Sequence, residues 1–109
     1  MPLGPPFEIH ERREDGRAHL LVTGELDLVT APELEERLNQ LRGEHQAVVL
    51  DLSQLEFMDS TGLHVLVRAF NDASSDGWHL EVDRELSPQV RRLFQLANVG
   101  RMILADSAG

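Results

Sequence analysis

The chain has neither cysteine nor lysine among its 109 residues. Without cysteine there are no disulfides, no thiolate metal ligands and no cysteine nucleophile. Without lysine there is no phosphate-loop lysine, no Schiff-base amine, and none to complete a receiver-type phosphoaspartate site. No apolar run approaches the roughly 18–20 residues of a membrane-spanning helix, so membrane insertion is not expected. The opening Met1-Pro2-Leu3-Gly4-Pro5-Pro6 lacks the basic and apolar segments of a secretion signal. Residues 1–6 read as a short flexible leader, and the protein as cytoplasmic.

What is present fits one folded domain. Hydrophobic residues make up 41% and charged residues 27%, an ordinary globular balance for a chain with room for a single core. Nineteen acidic residues face ten arginines, for a net charge of −9. Such a surface repels nucleic acid and anionic membrane, which bind proteins through neutralised phosphates. It either favours a protein partner with a basic face or simply keeps the domain soluble.

Hydropathy patterning orders the elements as β-β-α-β-α-β-α-β. Phe7 to Glu11 alternates as a half-buried strand, Asp15-Gly16 signals a hairpin, and His19 to Gly24 is the return strand. Thr30-Ala31-Pro32-Glu33 has the form of a capping box ahead of Leu34, Leu38 and Leu41, a helix ending near Gly43. Ala47 to Asp51 is a continuous apolar run, expected to be a central strand buried on both faces. A connection through Leu55, Phe57 and Met58 leads to a second helix with the stripe Leu63, Leu66, Val67 and Phe70. Trp78 to Val82 gives the fourth strand. Ser87-Pro88 opens a third helix, serine as N-cap and proline at its first position, with Val90, Leu93, Phe94 and Ala97 inward. Met102 to Leu104 reads as a last strand. The expected fold class is α/β: a mixed sheet of about five strands, mostly parallel with an antiparallel N-terminal hairpin, and helices packed on it.

Chemistry concentrates at Asp59-Ser60-Thr61-Gly62. With Asp59 as N-cap, Ser60, Thr61 and Gly62 fill a first helical turn, whose backbone N–H groups lack intrahelical partners and attract anions. Gly62 is expected to leave space for close approach by a partner or phosphate. The tetrapeptide serves either as a phosphate-carrying switch or as a plain helix cap. Glu25 and Asp27, after the second strand, either join that site or form a solvated turn held by local hydrogen bonds. Asp51 lacks the companions of a phosphoaspartate site and is expected to cap a backbone turn. His10, His19, His45, His64 and His79 match no familiar ligand spacing, so neither a metal nor another cofactor is expected. His64 stands on the outer face of the second helix, one turn after Ser60.

Taken together, Gly24-Glu25-Leu26-Asp27, Thr30-Ala31-Pro32, Val48 to Leu52, Phe57 to Leu63 and Ser87 to Phe94 resemble the STAS-domain family. Within it, the resemblance is to the bacterial anti-sigma factor antagonists. It spans residues 7–105, with 106–109 as a short tail. The resemblance implies a non-enzymatic protein that binds an anti-sigma factor with serine-kinase activity and so releases a sigma factor. The kinase would phosphorylate Ser60, or else Thr61, and weaken binding; a PP2C-type phosphatase would restore it. Partner contacts carried over are Glu25, Asp27, Asp59, Ser60, Thr61, Gly62, Leu63 and His64. The alternative is a STAS scaffold of a stress-sensing complex, or an accessory subunit of a membrane lipid transporter. A nucleotide-binding role is disfavoured by the missing lysine and glycine-rich loop. Three departures stand out: His64 where glycine is common, Ala97-Asn98-Val99-Gly100 at the end of the third helix, and an end at Gly109 where many relatives add a fourth helix. The last is expected to leave part of the sheet less covered or open to self-association.

Overall fold

A computed structural model describes residues 4–100. In chain order the elements are β1 (Glu8–Glu14), β2 (Arg17–Leu26), α1 (Ala31–Gly43), β3 (Ala47–Leu52), β4 (Leu55–Met58), α2 (Ser60–Asp76), β5 (Leu80–Leu86) and α3 (Pro88–Ala97). The strands order as β1-β2-β3-β5, and β4 adds to the C-terminal half of β2. β1 and β2 are antiparallel, and every other pairing is parallel. Asp15 and Gly16 both take positive φ, 53° and 76°, as a two-residue turn matched to strand twist requires.

β2 changes partners midway, and Gly24 stands at the change. It pairs with β3 from Arg17 to Leu21, then with β4 from Gly24 to Leu26, with an irregularity between Gly24 and Glu25. Gly24 has φ +85°, and a Cβ there would stand 2.7 Å from the backbone of Phe7. A side chain is thus excluded twice, by conformation and by the N-terminal arm crossing over it. The Thr23 hydroxyl also donates to the Pro6 carbonyl at 3.3 Å, so residues 4–6 begin along this strand.

The core follows from strand alternation. Ala18, Leu20, Val22 and Leu26 of β2 and Val48, Leu50 and Leu52 of β3 are fully buried. Against them pack Leu34, Leu38 and Leu41 of α1, and Leu63, Leu66 and Phe70 of α2. α2 ends at Gly77, whose left-handed φ of 75° suits a helix stop.

Several sequence expectations need correcting. The segment through Leu55, Phe57 and Met58 is a strand; four residues are too short to show a period. β5 starts at Leu80, and Trp78 is buried ahead of it, donating from Nε1 to the Gln46 carbonyl at 2.6 Å. β3 is buried on both faces only at Val49, since Ala47 and Asp51 are half-buried. On α2, Val67 is half-buried while Val65 and Ala73 join the core. On α3, Val90 and Phe94 are buried, but Leu93 is half-buried and Ala97 exposed. Residues 102–104, the expected last strand, and the tail lie outside the described residues.

Candidate docking site

Asp59 is extended (φ −100°, ψ −175°), and its carboxylate accepts the Gly62 amide at 3.0 Å, so the expected N-cap forms. Ser60 follows at the first helical position and is exposed; Thr61 is half-buried and His64 exposed. Gly62 differs from expectation. It is buried, and a Cβ there would lie 2.8 Å from Cγ and from the carbonyl oxygen of Leu26. Its missing side chain lets α2 settle onto β2, so the space is used inside the domain. Leu63 likewise points inward, 7% exposed.

The other carboxyl oxygen of Asp59 accepts the Leu28 amide at 3.3 Å, and the Asp59 amide donates to the Leu26 carbonyl at 3.1 Å. One residue thus caps α2 and tethers the loop between β2 and α1. Asp27 holds that loop from inside, accepting the amides of Val29 and Thr30 at 3.0 and 3.1 Å. The Thr30 hydroxyl accepts the Asp27 amide at 2.9 Å and donates to the Glu25 carbonyl at 2.7 Å. It makes no helix-cap hydrogen bond, so the expected capping box is replaced by a turn closed around Asp27.

With its polar groups paired internally, the loop presents two aliphatic side chains outward: Leu28 is 70% exposed and Val29 83%. Sequence reasoning missed both. Their signal was weak: two aliphatics between Asp27 and Thr30, outside any periodic stripe. Beside them, a cavity of about 560 Å³ between the N-terminal arm and this loop is lined in part by Glu25, Asp27 and Glu56.

The remaining candidates lie elsewhere. The Asp51 carboxylate accepts the amide and hydroxyl of Ser53 at 2.9 and 2.6 Å, a turn-capping role as expected. His10 and His19 are on the sheet face, near Glu8 and Glu14. Among the described residues, no group of three or more His, Cys, Asp or Glu is placed to hold a metal ion. Also among them, no helix is long and apolar enough to cross a membrane.

In class, this is a small α/β domain with an exposed helix start tied through Asp59 to a loop that carries two exposed aliphatic side chains. It belongs to the STAS-domain family: the family model described as "Mlab, STAS domain" matches residues 9–105. It is similar to the anti-sigma-B factor antagonist of Listeria monocytogenes, 36% identical over 98 residues, 89% of this chain and 84% of that protein. The Bacillus subtilis anti-sigma-B factor antagonist is 33% identical over 97 residues, 89% of this chain and 88% of that protein. The crystal structure of an anti-sigma factor antagonist from Mycobacterium paratuberculosis superposes with a TM-score of 0.80 at 30% identity, covering 93% of this chain and 87% of that one.

Proposed function

We propose that this chain is an anti-sigma factor antagonist controlled by phosphorylation at Ser60. Unphosphorylated, it binds an anti-sigma factor with serine-kinase activity and releases a sigma factor in the cytoplasm. The kinase switches it off, and a PP2C-type phosphatase resets it. The observation that carries this reading is the exposed Ser60 hydroxyl beside an outward apolar pair, the loop and the helix start being joined through Asp59. Ser60 is preferred to Thr61 because it is exposed where Thr61 is half-buried. Glu25, Asp27, Asp59, Ser60, Thr61 and His64 form the polar part of the docking face, and Leu28 and Val29 its apolar part. Gly62 and Leu63 support that face from within.

A phosphate on Ser60 adds about −1.5 to −2 charges next to Asp59. At a separation of about 6 Å and partial screening, that repulsion is on the order of 1–3 kcal/mol. That term acts within the chain; a penalty of the same order at an interface lowers affinity by roughly five- to 150-fold. At the first position of a helix the same charge is favourable to the helix itself. That gain is about 0.3–1 kcal/mol and offsets only part of the repulsion from Asp59, so the switch is read in the interface, with at most a local loosening of the helix start.

The test is incubation with the kinase-type anti-sigma factor and ATP, followed by mapping of the phosphate. Labelling at Ser60 that disappears in Ser60→Ala is expected. Equal labelling of the Ser60→Ala, Thr61→Ala double variant would show that the phosphate goes elsewhere.

A further inference from the structure

We propose that the first turn of α3 is a clip that sets the geometry of the Asp59 cap, with Gln89 as its positioning residue. β4 pairs with β2 along one edge, and among the described residues no strand pairs with its other edge. Parallel pairing of Leu26 with Met58, and the bond from the Asp59 amide to the Leu26 carbonyl, turn Met58's own amide and carbonyl away from β2. Gln89 meets both. Its side-chain oxygen accepts the Met58 amide at 2.9 Å, and its side-chain nitrogen donates to the Met58 carbonyl at 3.2 Å. A primary amide carries the same donor and acceptor that a neighbouring strand would supply.

Ser87 works on the same edge. It is the N-cap of α3, as expected, but its hydroxyl donates to the Leu55 carbonyl at 2.6 Å and makes no cap hydrogen bond to its own helix. Pro88 in the first turn has no N–H, which lightens the need for a cap there. The two side chains thus close the outer edge of β4 at both ends. Met58 has its side chain fully buried, and it directly precedes Asp59. The helix start carrying Ser60 is held from two sides: by the β2–α1 loop through Asp59, and by α3 through Met58.

The consequence for phosphorylation rests on the proposed function; the structural clip does not. The test compares Gln89→Met, similar in size without the amide, and Gln89→Glu, which keeps the acceptor and loses the donor. Amide hydrogen exchange is followed in the full-length chain. Gln89→Met is expected to speed exchange at Met58 and Gly62 roughly tenfold. Val48 and Leu50 in β3 should stay at the parent rate, which separates a local effect from general destabilisation. Gln89→Glu should fall between Met and the parent. Using the kinase that labels the parent, kcat/KM for Ser60 should fall roughly tenfold in Gln89→Met, with partial recovery in Gln89→Glu. Unchanged exchange at Met58 and Gly62, or equal acceleration in β3, would overturn the clip. Normal exchange effects with unchanged labelling would overturn its link to the switch. Failure to label the parent at Ser60 would count against the proposed function and leave the exchange result to decide the clip.

Discussion

Asp59 and Leu28 are 31 residues apart in sequence, yet the Asp59 carboxylate accepts the Leu28 amide at 3.3 Å. The opposite oxygen of that carboxylate caps α2 through Gly62. Helix start and loop are therefore one unit. Asp59→Ala should cost about 0.5–2 kcal/mol by urea unfolding, the usual range for a lost cap. Asp59→Asn, which keeps one acceptor oxygen, should cost less. Equal losses for the two would mean that charge, not capping, is what Asp59 contributes.

Gly62→Ala tests the packing beneath the site. The added methyl meets Leu26 at 2.8 Å, on both its side chain and its carbonyl, so the first turn of α2 must shift. A loss of about 1–3 kcal/mol is expected, the range for overpacking a filled space. Gly43→Ala at the end of α1 is the control, because nothing lies within 4 Å of its Cβ position. Its stability should match the parent or rise slightly.

Leu28→Ser and Val29→Ser separate docking from folding. Both side chains are largely exposed, so each change should move stability by less than about 0.5 kcal/mol. Affinity for the kinase-type anti-sigma factor should fall about tenfold or more in the double variant, measured by calorimetry. Unchanged affinity would remove the apolar pair from the interface.

The ion pair between Arg37 and Glu11 joins α1 to β1, with bonds of 2.8 and 2.9 Å. Burial works against the Glu11 carboxylate, but hydrogen bonds and positive charge from Arg37 and Arg13 outweigh it and hold its pKa below the ordinary 4.5. A carboxylate with a lowered folded pKa stabilises the protein above its unfolded pKa, and that contribution is lost as pH falls through the folded value. Glu11→Gln should therefore melt about 1–5 °C below the parent at pH 7, and the gap should close towards pH 3. A gap independent of pH would point to packing instead of charge.

Elements with a long period were legible in the sequence, because burial alone sets their pattern. Leu34, Leu38 and Leu41, and likewise Leu63, Leu66 and Phe70, marked the helices that the fold contains. β4 was not legible: it is four residues long, and its partner, the C-terminal end of β2, lies about 30 residues away in sequence. The Asp59 cap was readable because capping is local. Thr30 and Ser87 take the N-cap positions expected of them, but neither side chain makes the cap bond, and for one cause. Each hydroxyl found a better partner outside its own helix, Thr30 in the turn around Asp27 and Ser87 on the Leu55 carbonyl. Leu28, Val29 and Gln89 escaped notice because their roles arise only when distant segments meet.

The most direct measurement is the affinity of one preparation for the kinase-type anti-sigma factor, before and after stoichiometric phosphorylation, with melting temperature recorded alongside. Phosphorylation at Ser60 is expected to lower affinity by roughly five- to 150-fold, with any fall in melting temperature too small to account for that loss. Equal affinity in the two states would contradict a phosphate switch at this docking face, and a fall in melting temperature matching the loss of affinity would show that it acts by unfolding the helix start.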